Sequence, residues 1–420
     1  MKRAALQLYR LAVLVAIAWT IHQHHLRLRI QGNDPVSLDE VRRIFPAAAE
    51  LVPDPGERAG LFVRDEKGSP LGYVLRTSPV GDRVIGYRGW TDSLVAFDPA
   101  MKVVGVRIHL SQDTREHVED VQTDRSFLKT WNGKTWEQVA GVTPEQAGIE
   151  GVSGASMTSM AIAEAIMLRL RSTTDAAAQP RNTLRWRSED IGLGLLTCLG
   201  TVLAFTGSHG RPWIRRGFQI LVISYIGFWC AAPLAQSLFV GWTQSSAPWQ
   251  TAPGLVLMAA AALALPWATG KPVYCQQLCP HGAAQELLSR LRPKRWKLAL
   301  PKDVDAGLRW LPGLLLGLVL IVSFLVLPLD LASVEPFDAY SLRAAGTATL
   351  AIAAIGLIAS CFLPMAYCHY GCPTGFLLTL VRSRGAADRF NRRDAAALTL
   401  LLLAQLLSAN YHAIHAWALS

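Results

Sequence analysis

A series of long apolar runs separated by short loops constrains this chain more than any other feature. A first run at residues 6–21 is followed by others near 191–207, 218–236, 252–268, 311–329, 344–363 and 395–414. A helix needs about 20 mainly apolar residues to cross the hydrocarbon of a bilayer. Hydrophobic residues make up 51% of the chain and charged residues only 17%, which is unusual for a soluble protein. The pattern therefore predicts about seven transmembrane helices.

The loops between these runs alternate in charge. Basic residues cluster at 211–216, 290–297 and 382–393, whereas the loops at 237–251 and 330–342 contain no lysine or arginine. Because cytoplasmic loops carry the excess of basic residues, the N-terminus with Lys2, Arg3 and Arg10 is predicted to lie inside and residues 31–185 outside. Topology then accounts for the net charge of +10, and no nucleic-acid partner is expected.

Three segments follow from this pattern. Residues 1–30 are predicted to be an uncleaved membrane anchor, because no small-residue cleavage site follows the first run. Residues 31–185 mix short alternating stretches with helical ones, which indicates a soluble α+β domain. All seven cysteines lie outside this domain, which excludes a disulfide framework in it. Residues 186–420 are predicted to form a six-helix membrane domain that completes an α-helical polytopic bundle.

The soluble domain contains a run of small residues that leads into a helix. It reads Gly151-Val-Ser-Gly-Ala-Ser-Met-Thr-Ser159 and is followed by the helix-forming stretch 160–168. Backbone N–H groups at a helix start bind anions, and Gly154 and Ala155 permit a bulky group to approach closely. The segment therefore suits a phosphate, although Ser153 or Ser156 could simply cap a helix.

Within this run, Ser153-Gly154-Ala155-Ser156-Met157-Thr158 resembles the flavinylation motif of FMN-binding domains. Such domains occur in sodium-pumping quinone reductases, related ferredoxin-oxidising complexes and the nitrous-oxide-reductase accessory family. The resemblance implies that Thr158 carries FMN through a phosphoester, with Ser153, Gly154, Ala155 and Ser156 as the surrounding binding residues. It also implies a periplasmic flavin transferase as a maturation partner.

Further stretches of the domain resemble the nitrous-oxide-reductase accessory type. They are Gly86-Tyr87-Arg-Gly89-Trp-Thr-Asp92, 98–105 and Ser111-Gln-Asp113-Thr114. Tyr87, Trp90 and Trp131 are available for contacts with a flavin ring. Aromatic side chains in a small domain are more often part of its core.

Two segments of the membrane half repeat one cysteine motif. Tyr274-Cys-Gln-Gln-Leu-Cys-Pro-His-Gly282 and Tyr367-Cys-His-Tyr-Gly-Cys-Pro-Thr-Gly375 both read Tyr-Cys-x-x-x-Cys-Pro-x-Gly. The predicted topology places both on the cytoplasmic side, where thiols stay reduced. Cys275, Cys279, Cys368 and Cys372 could therefore bind one iron–sulfur cluster or a zinc ion. The alternative is two similar helix ends in which the cysteines only fill space.

Other cysteines and histidines carry weaker signals. Cys198, Cys230 and Cys361 lie in apolar runs without a pattern and are expected to be packing residues. Histidines lie at the outer ends of the first and last runs and inside the cysteine motifs, namely His22, His24, His25, His412, His415, His281 and His369. They could bind haem or metal, or tune the cysteine site, although interfacial histidines are usually simple boundary residues.

The doubled cysteine motif also resembles the nitrous-oxide-reductase accessory family and membrane subunits of periplasmic nitrate reduction. Longer accessory proteins continue into a ferredoxin domain, and this sequence contains no such run of cysteines. The resemblance is therefore to a shortened form, and the specific role in nitrous oxide reduction is not carried over.

Together these features predict a multi-pass electron-transfer flavoprotein of the bacterial inner membrane. Electrons would pass from a cytoplasmic-side or quinone donor to an unidentified periplasmic acceptor protein. The alternatives are a redox-sensing regulator and a cofactor-maturation protein. About 30 Å of hydrocarbon separates the two predicted sites, so an intermediate carrier, a dipping domain or a partner subunit is expected.

Overall fold

The fold was analysed in a computed structural model. It describes residues 2–31, 35–56, 58–124, 126–174, 186–206, 212–291, 298, 300–325, 327, 329, 331–341, 345–383, 388–411 and 413–414. The chain divides into two compact units. The helical unit comprises Met1–Leu28, Trp186–Gln244 and Ala252–Ser420, and the sheet unit comprises Arg29–Arg185 and Ser245–Thr251.

The helices of the described residues run in the following order. They are α1 (Lys2–Gln31), α2 (Leu38–Arg42), α3 (Arg115–Thr123), α4 (Trp136–Ala140), α5 (Ser156–Thr174), α6 (Ser188–Phe205), α7 (Pro212–Val222), α8 (Gln236–Gln244), α9 (Pro253–Thr269), α10 (Pro280–Leu291), α11 (Lys302–Leu308), α12 (Leu311–Leu325), α13 (Thr347–Ser360), α14 (Ala366–Tyr370), α15 (Pro373–Val381) and α16 (Arg392–Ala409). Short 3₁₀ turns lie at Gly81–Arg83, Phe127–Lys129, Ala332–Val334 and Asp338–Tyr340, and π-helical turns at Ile223–Trp229 and Tyr274–Leu278.

The sheet unit contains a five-stranded antiparallel sheet in which each strand pairs with the next along the chain. Its strands are β1 (Glu50–Pro53), β2 (Leu61–Arg64), β3 (Pro70–Arg76), β4 (Thr91–Phe97) and β5 (Val103–Ser111). All seven residues of β4 are buried, so this strand is covered on both faces. Helix α5 packs into the core with Ile162, Ile166 and Leu170, which recur every four residues and share one face. The start of α5 is thereby fixed beside the sheet.

Three described helical segments of the helical unit are long and apolar enough to cross a membrane. They are Ala4–Leu28, Ser188–Phe205 and Lys302–Leu325, and two shorter apolar helices are Pro253–Thr269 and Thr347–Ser360. The structure thus has a sheet-containing unit and a mostly helical body with candidate membrane spans. It does not confirm all seven predicted spans.

The predicted span at 218–236 is interrupted. Helix α7 passes into a π-helical turn at Ile223–Trp229, and α8 begins only at Gln236. Pro233 lies in the break, where a proline removes a backbone hydrogen bond from a helix. The break frees the Leu234 N–H, which donates a hydrogen bond to the Tyr274 hydroxyl at 2.6 Å.

A buried ion-pair network ties α1 to the start of α16. The Arg10 guanidinium lies 2.6 Å from Asp394 and 2.8 Å from Asp388. The Arg10 side chain is almost fully buried, so the two carboxylates neutralise a charge that water does not reach. The polar end of the first apolar helix is thereby held inside the helical unit.

Candidate functional site

Thr158 lies in the first turn of α5, in the sheet unit. Its side chain is buried, with 1% of the residue exposed, and its hydroxyl donates to Asp113 Oδ2 at 2.7 Å. Asp113 follows the end of β5, so the sheet and the helix together position this hydroxyl. The predicted attachment residue therefore has one defined hydrogen-bond acceptor.

The Asp113 carboxyl group is itself held by the backbone. Oδ2 accepts from the Tyr87 N–H at 3.0 Å, and Oδ1 accepts from the N–H groups of Arg88 and Thr114, each at 2.8 Å. A Cβ added at Gly86 would come within 2.2 Å of Asp113 Oδ2, so a glycine is needed there for the loop to approach. The Gly-Tyr-Arg-Gly segment thus forms a cradle for Asp113.

The segment before α5 is open to solvent. Ser153, Gly154 and Ser156 are exposed, whereas Ala155 is buried. Gly154 has φ +92°, a conformation that side-chain-bearing residues rarely adopt. Ser159 braces the segment because its hydroxyl accepts from the Val152 N–H at 2.9 Å. Three of the four predicted binding residues are therefore accessible, whereas Ala155 and the attachment residue Thr158 are buried.

The three aromatic residues offered for flavin contacts are all buried. Trp131 is 1% exposed and packs edge-on against Phe127 in the core, at 5.4 Å between ring centroids. Tyr87 lies edge-on to His117 at 5.0 Å, and Trp90 is 5% exposed. Trp131 is therefore a core residue, and none of the three presents an open ring face.

In the helical unit, each Cys-Pro-x-Gly sequence forms the start of a helix. Pro280 begins α10 and Pro373 begins α15, so the preceding cysteine lies at the cap position of each helix. Cys279 Sγ accepts from the Gly282 N–H at 3.4 Å, and Cys372 Sγ from the Gly375 N–H at 3.1 Å. The repeated sequence thus encodes a repeated geometry in which sulfur caps a helix.

The two cysteine motifs lie against each other. His281 of the first motif and Tyr367 of the second pack edge-on at 5.2 Å between ring centroids. Gln285 on α10 donates to Cys368 Sγ at 3.2 Å and accepts from the Tyr367 N–H at 3.1 Å. Helix α10, which Cys279 caps, is therefore bonded directly to a cysteine of the other motif.

Two of the four thiols are buried and two are partly buried. Cys279 and Cys372 form the buried pair, and Cys275 and Cys368 form the partly buried pair. Bringing these sulfurs together as thiolates therefore requires a compensating cation, which a metal centre supplies.

The donor set suits an iron–sulfur cluster, because four cysteine thiolates are the usual ligands of such clusters. Four thiolates also suit a zinc ion, with sulfurs at about 2.3 Å. Among the described residues, no group of three or more His, Cys, Asp or Glu side chains is arranged to hold a metal ion. Buried polar atoms at the same place, Tyr367 Oη and His281 Nε2, have no partner among the described residues.

Glu335 joins the starts of two short helices beside the cysteines. One of its carboxyl oxygens accepts from the Gln236 N–H at 2.7 Å, and the other from the Thr374 hydroxyl at 2.6 Å. Helix starts carry partial positive charge, which favours a negative group there.

The loop that contains Glu335 folds into the helical unit. Besides the Glu335 contact with Thr374, the Tyr340 hydroxyl lies 3.2 Å from His281 Nδ1. The charge pattern predicts that this loop and the cysteine motifs lie on opposite sides of the membrane. The contacts instead bring residues 331–341 to the cysteines, and the sequence pattern did not indicate this inward fold.

Glu335→Ala is expected to destabilise the helical unit. It removes hydrogen bonds from two helix starts and leaves buried donors unpaired, at a cost of about 3 kcal/mol. For a unit of this size that corresponds to a fall of roughly 6–12 °C in the thermal midpoint. The measurement is thermal unfolding in lipid nanodiscs, with Asp303→Ala, an exposed acid on α11, as the control. Equal midpoints for Glu335→Ala and wild type would contradict this role.

The histidines near the end of α1 are engaged in packing contacts. His22 Nδ1 lies 3.1 Å from the Thr243 carbonyl oxygen, and His24 Nε2 lies 2.9 Å from the Phe324 carbonyl oxygen. His25 Nε2 lies 3.1 Å from the Gln244 side-chain amide. These contacts fasten α1 to α8 and α12 and favour a structural role. His412 and His415 lie outside the described residues.

Comparison with known proteins identifies two domains in this chain. A model of FMN-binding domains matches residues 86–170, which include Asp113 and Thr158. A model of 4Fe-4S binding domains matches residues 251–299 and 345–389, which include all four motif cysteines. The chain carries an FMN-binding domain and an iron–sulfur domain. The two cofactors are therefore FMN and an iron–sulfur cluster.

A curated relative points the same way. YccM of Escherichia coli (strain K12), whose name describes an electron transport protein, is 33% identical over 123 residues. The alignment covers 26% of this chain and 34% of that protein, so this chain spans about a third of the relative's length. No solved structure matches. The two domains and this relative support electron transfer.

Sequence reasoning named the attachment and cysteine residues but missed their partners. In the sequence, Asp113 stands out only through a resemblance, and no motif marks Glu335, Gln285 or Gln236. All three of the latter are fully buried. A polar residue in an otherwise apolar stretch is the signal that could have identified them, because burying it demands a hydrogen-bond partner.

Proposed function

We propose that this protein is a membrane-bound electron-transfer flavoprotein of the nitrous-oxide-reductase accessory type. It passes electrons between a cytoplasmic-side or quinone donor and a periplasmic acceptor protein through FMN joined covalently to Thr158. The observation that carries the proposal is the presence, in one chain, of a positioned Thr158 hydroxyl and two abutting cysteine motifs.

The environment of Thr158 suits attachment of a phosphoester. A periplasmic flavin transferase would form a bond between Thr158 Oγ1 and the FMN phosphorus and break the pyrophosphate bond of FAD, so that AMP leaves. The hydroxyl proton already lies in a hydrogen bond to Asp113 Oδ2. Asp113 is therefore the group that accepts this proton, and its three backbone N–H partners hold it in place.

The attached FMN supplies reversible electron exchange. Ser153, Gly154 and Ser156 are exposed and leave room for the flavin outside the buried attachment point. The tether needs the hydroxyl of Thr158 alone, so the isoalloxazine stays available to a partner protein. This arrangement fits a carrier that hands electrons to a periplasmic acceptor.

The four cysteines supply the second redox centre of the proposal. These cysteines, two of which cap α10 and α15, would hold the iron–sulfur cluster. Gln285 and Glu335 would keep the motifs in place through their hydrogen bonds with Cys368 and Thr374. Contact of residues 331–341 with the motifs supports a centre deep in the helical unit.

The proposed location is the bacterial inner membrane, in a multi-pass arrangement with membrane lipid around the helical unit. The domain 31–185 is periplasmic, the segment 1–30 is an anchor, and the segment 186–420 is the membrane domain. In this proposal the basic loops and the two cysteine motifs lie on the cytoplasmic side.

The test is spectroscopic. Full-length protein, purified from cells that make a flavin transferase, is expected to retain yellow flavin after denaturation and to show the broad visible absorbance of an iron–sulfur cluster before it. Protein from cells without the transferase is the control and should lose the flavin but keep the cluster. Wild-type protein that lacks both chromophores would overturn the proposal.

A further inference from the structure

Gln285 is a fully buried polar residue on α10 that contacts the second cysteine motif. Its Nε2 donates to Cys368 Sγ at 3.2 Å, and its Oε1 accepts from the Tyr367 N–H at 3.1 Å. A backbone N–H can only donate, so the atom that faces Tyr367 must be the amide oxygen. The orientation of the amide is thereby defined, and its nitrogen faces the cysteine sulfur.

Ser360, the last residue of α13, supports the same orientation. Its hydroxyl lies 2.9 Å from Gln285 Oε1, and its oxygen accepts from the Ala366 N–H at 3.3 Å. Ser360 is itself fully buried. Turning the Gln285 amide by 180° would place its N–H groups against the Tyr367 N–H. Gln285 is therefore held in the orientation that donates to sulfur.

The two cysteine motifs differ at this position. Gln285 lies six residues after Cys279, and the residue six positions after Cys372 is Leu378. Both of these cysteines accept a backbone N–H from the residue three positions later. The backbone donors therefore follow the repeat, whereas the side-chain donor departs from it. An apolar residue at 285 would avoid the cost of burying an amide, so the exception points to a role at the sulfur.

We propose that Gln285 is a positioning residue that raises the reduction potential of the iron–sulfur cluster through its N–H···S hydrogen bond to Cys368. The inference rests on the proposed function, in which Cys368 is a cluster ligand. Hydrogen bonds to the sulfurs are among the determinants of cluster potential. The reduced cluster carries one more negative charge than the oxidised cluster, and a hydrogen bond to a more negative acceptor is stronger. The amide therefore stabilises the reduced state more than the oxidised state.

Burial increases the effect of this hydrogen bond. Gln285 and Ser360 are fully buried, and the neighbouring His281 is 1% exposed. Electrostatic interactions are stronger where water does not screen them. The amide nitrogen also lies 3.4 Å from the His281 carbonyl oxygen, so α10 itself helps to hold the amide. A single side chain can therefore contribute a measurable part of the cluster potential.

The test is a redox titration of full-length holoprotein in lipid nanodiscs, followed by electron paramagnetic resonance of the reduced cluster and by iron content. Gln285→Met keeps the length of the side chain but removes the N–H donor. It is expected to lower the equilibrium constant for one-electron reduction about tenfold, which corresponds to about 59 mV in midpoint potential. The midpoint potential of the covalent FMN in the same titration should not change.

Ser360→Ala is the matched control for Gln285→Met. It removes the hydroxyl next to Oε1 but leaves the bond between Gln285 and Cys368, so the cluster potential should stay at the wild-type value. The double variant Gln285→Met/Ser360→Ala leaves no unpaired Ser360 hydroxyl and is expected to assemble a cluster even if Gln285→Met alone does not. Its cluster potential should fall by the amount expected for Gln285→Met.

A wild-type cluster potential in Gln285→Met, or an equal fall in Ser360→Ala, overturns the inference. Loss of iron from both Gln285 variants but not from Ser360→Ala also overturns it, because Gln285 is then needed only to assemble the site. Wild-type protein that contains flavin but no iron–sulfur cluster instead contradicts the proposed function, in which Cys368 is a ligand. The two failures are therefore distinguishable.

Discussion

Thr158→Ala is expected to abolish covalent flavin completely. The substitution removes the hydroxyl oxygen that would form the phosphoester, and no alternative oxygen can take its position in the Asp113 contact. The measurement is flavin fluorescence of the denatured protein on a gel, after expression with a flavin transferase. The cluster lies in the other unit, so its visible absorbance should persist in this variant.

Ser156→Ala is the matched control for Thr158→Ala. Ser156 lies two residues earlier in the same motif and is exposed, so access alone favours it as an acceptor, whereas the Asp113 hydrogen bond favours Thr158. We expect Ser156→Ala to retain full labelling and Thr158→Ser to be labelled. Flavin on Thr158→Ala together with its loss from Ser156→Ala would reassign the attachment to Ser156.

The contact between Asp113 and Thr158 could not be predicted from the flavinylation motif alone. The sequence indicated a helix start with small residues, and α5 does begin at Ser156. Asp113 lies 45 residues earlier in the chain, and only the turn after β5 brings it to Thr158. Such a contact depends on sheet register and loop approach, as at Gly86, which a local pattern does not contain.

In the helical unit, hydropathy predicts where apolar segments lie but not where their helices break. Hydropathy detects apolar residues but not backbone breaks, so the run at 218–236 reads as one span although α8 starts only at Gln236. Irregular backbone is tolerated at membrane depth where protein groups satisfy it. Here the Tyr274 hydroxyl and Glu335 do so. The interrupted span is thus linked to both the cysteine motif and the inward loop.

Each cysteine motif could be predicted as part of a metal site, because its two cysteines lie only four residues apart in the sequence. The two motifs lie 93 residues apart, however, and their pairing depends on Gln285 and on the contact between His281 and Tyr367. A Cβ at Gly356 would lie 3.2 Å from Tyr367 Cβ and 3.3 Å from His281 Nε2. Gly356, which lies outside both motifs, therefore leaves the space that Tyr367 and His281 need to pack together.

Cys372→Ser is expected to remove most of the iron and the visible iron–sulfur absorbance. Serine caps a helix at least as well as cysteine, so α15 should still begin at Pro373 and the fold should survive. What is lost is a thiolate ligand, and changes even to outer partners of a metal site cost about 10–100-fold in affinity. We therefore expect a loss of more than about a hundredfold here. Iron content and the reduced-state electron paramagnetic resonance signal measure it.

Cys198→Ser supplies the control for that loss, because Cys198 is an exposed cysteine on α6 without a neighbouring motif. It should retain full iron, and both variants should retain covalent flavin. If Cys372→Ser kept iron at the wild-type level, Cys372 would not be a metal ligand and would only cap α15. The Cys-Pro-x-Gly repeat would then describe two helix starts alone, and the outer flavin would need a donor from another protein. Loss of iron with retention of flavin would show that the two redox centres are independent, as expected for sites in two different compact units.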